Sequence, residues 1–85
     1  MKHKVLKVNP KDNVIVALAN LKKGETISFE GEDYLLQDDI NAKHKFFTKE
    51  LDSGDEIIMY GVLVGKAQTD IPRGGLMTTT NTKHA

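Results

Sequence analysis

Lys43, His44 and Lys45 stand in a row inside the stretch INAKHKF, residues 40–46. An ammonium group pairs with a carboxylate as a point charge, and imidazole is the side chain suited to proton traffic near neutral pH. On a tight connection between strands His44 and Lys45 form an anion-facing tip. The same residues also suit a loop tip kept in water. Lys43 fits that solvated reading best, and Lys49 is placed to extend the positive patch, although salt screens exposed charges beyond about 10 Å.

Other site chemistries find little support. His3 and His84 lie at the ends of the chain, where order is poorest. No pair of His, Asp or Glu has the spacing of metal ligands, so no metal site is expected within the chain. ELDSGDE (50–56) lacks the register and distal Glu of a calcium loop and reads as an acidic turn. GKAQT (65–69) lacks the glycine-rich lead-in of a phosphate loop. Spacing alone supports no Ser–His–Asp set. Thr78, Thr79 and Thr80 read most simply as strand formers.

The elements that must position the tip are short and β-branched. KVLKV is followed by the turn NPKDN, which gathers Asn, Pro and Asp. VIVAL is a near-continuous apolar run of strand length. NVIVALANLKK competes as a helix, but Val14, Ile15 and Val16 lose χ1 freedom there, which favours a strand ending in a turn. TISF, the turn EGED, YLL and FF continue the strand pattern. EIIMYGVLVGKA is two strands joined at Tyr60–Gly61 or one strand bent there. FTKELDSG is expected to hold one short helical turn ending at Gly54, and LMTTT (76–80) is expected to close the chain as a Thr-rich strand.

One frame recurs: apolar, two polar or turn residues, Gly, two more, apolar. It appears as LKKGETI (21–27), LDSGDEI (51–57) and IPRGGLM (71–77), and INAKHKF fits it with Lys43 in the Gly position. The physical reading is a tight reversal in which Gly supplies φ > 0. Repeated corners in so short a chain predict a compact all-β unit of short strands.

Composition narrows the function. The 85 residues make one domain, with an ordered core expected over about 4–81. A domain this small buries only about 60% of its unfolded surface. Without cysteine it has no disulfides or thiolate ligands, so it relies on its apolar core or on a partner. The absence of cysteine fits a cytoplasmic setting. The start MKHKVLKV has no apolar run behind it and is not a secretory signal. No stretch is long enough to span a membrane. Twelve basic and twelve acidic residues cancel, so the basic face that nucleic-acid binding requires is not expected.

Taken in order, NPKDNVIVAL, LKKGETI, INAKHKF, LDSGDEIIMYGVLVGKAQTDIPRGG and the Asn after the last strand resemble the small SAF domain of the altronate/galactarate dehydratase family. The resemblance runs from about Val8 to Asn81. Its most telling pieces are DNV (12–14), His44–Lys45, Tyr60–Gly61 with Gly65, and IPRG (71–74). It implies a β-clip fold and association with a larger catalytic part, either a separate large subunit or the rest of one chain. It also implies a sugar-acid dehydratase (hydro-lyase) of altronate or galactarate type, with iron in the complete enzyme and no cofactor in this chain. The chain departs from the family in two places. Lys43 stands where a Gly precedes the His-Lys pair, and Thr78-Thr79-Thr80-Asn81 stands where a His-x-His-Asn ending is common.

On this resemblance His44 is the candidate catalytic residue in the complex, and His44, Lys45 and Asn81 are candidate substrate contacts. Dehydration removes a proton from the carbon next to a carboxylate and expels a hydroxyl. The developing charge requires fixed positive charge or a metal, and the leaving hydroxyl requires a general acid. A self-sufficient enzyme is disfavoured, because a β domain of this size has little concavity for a closed pocket. The alternative is a free-standing binding module for a carboxylated sugar or a protein partner, with no chemistry of its own.

Overall fold

The computed structural model describes residues 4–84. They are all-β, as expected: eight short strands in three antiparallel sheets, with no helix among the described residues. The strands are β1 (Val5–Leu6), β2 (Val14–Ala17), β3 (Thr26–Phe29), β4 (Glu32–Leu35), β5 (Lys45–Phe47), β6 (Glu56–Met59), β7 (Val62–Ala67) and β8 (Thr82–His84). The sheets run β1-β2-β5, β3-β4 and β6-β7-β8.

The four corners share one geometry. In each, the fifth residue of the frame donates to the second: Glu25 to Lys22, His44 to Asn41, Asp55 to Asp52 and Gly75 to Pro72, at 2.9–3.0 Å. The fourth residue has φ of 88° at Gly24, 75° at Lys43, 94° at Gly54 and 84° at Gly74. This is the positive φ that a type II turn requires at its third position. Lys43 keeps the conformation without glycine's freedom, at a cost of about 1–2 kcal/mol.

The corners pair. Leu21 and Ile40, the first residues of two of them, exchange both backbone hydrogen bonds at 2.8 and 2.9 Å, and Leu51 and Ile71 do the same. Each pair is joined by a hairpin with positive φ at both turn residues, Glu30–Gly31 between β3 and β4 and Tyr60–Gly61 between β6 and β7, the type I′ turn that matches strand twist. The chain is therefore an internal duplication. Leu21, Gly24, Ile27, Gly31, Asp39 and Ile40 recur as Leu51, Gly54, Ile57, Gly61, Asp70 and Ile71. The second copy is longer by Val64, which a β-bulge absorbs: Ile57 pairs with Gly65 while Ile58 pairs with Leu63. The hairpin tips differ in chemistry. Glu30, Glu32 and Asp33 in the first become exposed Tyr60, Val62 and Leu63 in the second.

Each copy has its own core. Ile15, Ala17, Leu21, Ile27, Tyr34, Leu36, Ile40 and Phe46 form one, with Val5. Val14, Phe47, Leu51, Ile57, Ala67 and Ile71 form the other. The β2–β5 pair separates them, sending Ile15 and Phe46 to one side and Val14 and Phe47 to the other. That explains why VIVAL reads as a continuous apolar run rather than an alternating one, since both faces of the strand are covered.

Two expectations are corrected. The helical turn expected in FTKELDSG is absent. Both backbone groups of Leu51 are taken by Ile71, and Asp55 Oδ2 accepts from the Asp52 N–H at 2.8 Å, which closes a corner instead of a helix. LMTTT is not a strand. Only Leu76 makes a bridge, to Phe46, and residues 78–81 form a turn. There Asn81 Oδ1 accepts from the Thr78 N–H at 2.9 Å while Thr78 Oγ1 accepts from the Asn81 N–H at 3.1 Å. Side chains of these types compete with sheet pairing for the backbone, and the last strand begins only at Thr82. Tyr60–Gly61 joins two strands, the first of the two alternatives.

Candidate functional site

The corner that carries Lys43 and His44 is fixed from several sides. Lys43 N–H donates to the Ala17 carbonyl at 2.7 Å, and Ala17 N–H donates to the His44 carbonyl at 2.8 Å. Asn20 Oδ1 accepts from the Ala42 N–H at 2.9 Å. Lys45 opens β5, pairs with Val16 on one side and accepts from the Met77 N–H at 2.9 Å on the other. A charged tip of three consecutive residues is thus held on rigid backbone, although its side chains reach outward.

Beside this corner lies an open cleft of about 420 Å³. Lys43, His44 and Lys45 form one wall, and Leu76 and Met77 form an apolar floor. Thr78 and Thr79 of the turn, with Thr82 and His84 of β8, form the rest. Among the described residues no acidic side chain lines it. Among the described residues neither Lys43 nor Lys45 pairs with a carboxylate; the ion pairs are Lys4–Glu25 and Arg73–Glu32. In a chain whose formal charge sums to zero, the cleft gathers charge of a single sign, the arrangement that concentrates anions.

His84 is the functional candidate that sequence reasoning passed over. Its terminal position suggested disorder, yet β8 pairs it with Gly65 and brings it into the cleft with His44. Gly65 allows the approach, because a Cβ there would run into the Lys83 carbonyl. The weak signal was Gly65 in the interior of a strand, which marks close approach of another backbone.

Lys49 does not join this patch. It lines a separate cleft with Lys11, Asp55 and Glu56, where the charges are mixed. Asn81 stands behind the cleft wall rather than on it. Its carbonyl oxygen accepts from Thr78 N–H and from Thr82 Oγ1, and its amide donates to the Leu76 carbonyl at 2.8 Å. The geometry therefore brings His44 and Lys45 together and gives Asn81 the task of shaping the turn.

The residues do not fit iron. No group of three or more His, Asp or Glu side chains is gathered for a metal among the described residues. The cleft offers two imidazoles beside two ammonium groups, a set that repels a cation.

Other quoted motifs hold the fold. Asp12 Oδ1 accepts from the Gly61 N–H at 2.8 Å, and Asn13 bridges to β6 through its amide. Arg73 of IPRG lies 4.4 Å from the Tyr34 ring centroid and donates to the Asp33 carbonyl. The separation is clean: DNV, Tyr60–Gly61 and IPRG bind one part of the chain to another, while His44–Lys45 faces open space.

Comparison with known proteins covers nearly the whole chain. A family model described as the altronate/galactarate dehydratase SAF domain matches residues 3–85. Altronate dehydratase of Bacillus subtilis (strain 168) is 35% identical over 78 residues, which is 92% of this chain. Altronate dehydratase of Escherichia coli (strain K12) is 35% identical over the same length. The chain spans only 16% of the length of each relative. A match that runs through both copies of the duplication, from the first strand to the last, makes this chain a member of the altronate/galactarate dehydratase SAF-domain family.

Proposed function

We propose that this domain is the small component of a sugar-acid hydro-lyase of altronate or galactarate type, inactive by itself, whose cleft forms one wall of an active site completed by a larger catalytic chain. The observation that carries this reading is the single-sign cleft with His44 and Lys45 on its wall. The relatives named as altronate dehydratases support it, as does the small share of their length that this chain covers.

In such a site Lys45 places its ammonium against the substrate carboxylate. The charge that develops there as the neighbouring carbon loses its proton is offset by a fixed cation. His44 gives a proton to the departing hydroxyl, which leaves as water. The base that takes the carbon proton, and any iron, belong to the larger chain. Asn81 acts from behind by holding the 78–81 turn against the cleft. The setting is the cytoplasm, which a chain without cysteine fits.

The test is reconstitution. The chain is mixed with its larger catalytic partner, iron and candidate aldonates or aldarates, and 2-keto-3-deoxy acid is followed. Product that requires both chains supports the reading; no product and no co-purifying partner overturns it, and leaves the domain a binding module. His44→Ala is expected to keep the melting temperature within a few degrees and to remove activity from the complex. Loss of stability with activity retained would make His44 structural.

A further inference from the structure

Lys43 is the one fourth-position corner residue that is not glycine. It holds φ at 75°, a little below the 84°, 88° and 94° of its three glycine counterparts. At two of the three glycine corners space is not what reserves the position for glycine; at Gly74 a Cβ would also run into the Leu35 carbonyl. A Cβ added at Gly24 or Gly54 would meet nothing within 4 Å, so the obstacle is the backbone conformation alone. The chain therefore keeps a strained residue where glycine would be relaxed, and that residue is charged, faces the cleft and has no acidic partner among the described residues. Strain retained at a cleft-facing position points to use of the side chain.

Lys45 alone supplies the cation that one carboxylate needs. Lys43 adds a second ammonium on the same wall, two residues away and on the other side of His44. Two ammonium groups in one cleft repel each other unless each finds an anion. Leu76 and Met77 line the same cleft with apolar surface, and exposed Thr79 lines it with a side chain that suits a hydroxylated carbon chain.

We infer that Lys43 is a specificity-determining residue that gives the cleft a second carboxylate subsite, so that it takes sugar diacids in preference to sugar monoacids. This rests on the hydro-lyase reading for its setting but is tested separately from it. The four-carbon stem of lysine lets the ammonium follow the far end of a linear diacid, while Lys45 stays with the carboxylate next to the reacting carbon. The reaction itself is unchanged, and Lys43 takes no part in proton transfer.

The experiment compares galactarate, a diacid, with galactonate, the monoacid of the same carbon skeleton, and with inorganic phosphate. Binding to the 85-residue chain is read by NMR titration at fixed ionic strength in wild type, Lys43→Gly, Lys43→Gln and Lys43→Arg. Wild type is expected to prefer galactarate. Lys43→Gly and Lys43→Gln are expected to lose that preference by about tenfold while galactonate binding holds, in keeping with one charged hydrogen bond lost. Lys43→Arg is expected to retain it. The melting temperature of Lys43→Gly is expected to be no lower than that of wild type, because glycine suits the turn.

An unchanged preference in Lys43→Gly overturns the inference, as does phosphate binding as tightly as galactarate, which marks a general anion patch. No binding of either acid also overturns it. In the reconstituted complex, kcat/KM for the two acids gives a second readout. A complex active on both acids whose ratio ignores Lys43 overturns this inference and leaves the hydro-lyase reading standing. A complex inactive on both overturns the hydro-lyase reading, while the binding titration still decides the role of Lys43.

Discussion

Asn13 carries its side-chain amide across to β6, where it accepts from the Ile58 N–H and donates to the Glu56 carbonyl, both at 2.9 Å. Its own backbone N–H donates to the Ile58 carbonyl as well. Asn13→Ala leaves two strand groups without partners and is expected to cost about 1–3 kcal/mol, read as a lower urea midpoint with an unchanged slope. Tyr34 offers a test in pH. Its burial raises the phenol above the ordinary value of 10.0, Glu32 adds to this, Arg73 opposes it and Glu30 adds a little more. The fold thus favours the neutral phenol. The stability this contributes is complete below pH 10.0 and is lost as pH rises through the folded-state value. Tyr34→Phe is expected to flatten the alkaline limb of a stability profile, and an identical limb in both proteins would refute it. At this scale the Lys-His-Lys tip was legible because turn chemistry and charge are local. His84 was not, because its place depends on a strand pairing with Gly65, far back in the chain. Asn81 was half legible: its type marks a turn, but three of its four side-chain hydrogen-bonding positions are spent within the fold.

Corners and hairpins obey local rules, and they were the elements best read in advance. Gly in the fourth position, or Lys43 in its stead, gave the turn, and Tyr60–Gly61 gave a hairpin. Residues 76–84 were misread, since Thr favours strands in general while Thr78 here spends its hydroxyl on the Asn81 N–H. The helical turn failed for the opposite reason, a long-range partner in Ile71 claiming Leu51. The β7–β8 pair carries an expectation of its own. In Gly65→Ala the new Cβ meets the Lys83 carbonyl, so β8 must move off β7. Amides of β8 are then expected to exchange faster with solvent while those of β3 and β4 hold their rate, and His84 withdraws from the cleft. Equal protection of β8 in both proteins would show that the pairing tolerates the methyl.

The molecule as a whole is two similar halves built against one central strand pair. That arrangement was hidden in the sequence. The four corners could be counted along the chain, but which corner bonds to which is decided by backbone partners remote from one another, and the alternation of Phe46 and Phe47 between two cores needs the fold itself. Because β2 and β5 serve both cores, their amides are expected to exchange only by global unfolding, with a single transition in heat or urea. Two transitions, one per half, would contradict this.

The floor of the cleft sits on the boundary between those halves. Leu76 packs against the core of the first and Met77 against the core of the second, and both line the cleft. Neighbours in sequence are anchored in different bodies, so the width of the cleft is a mechanical reading of how the two halves are set against each other.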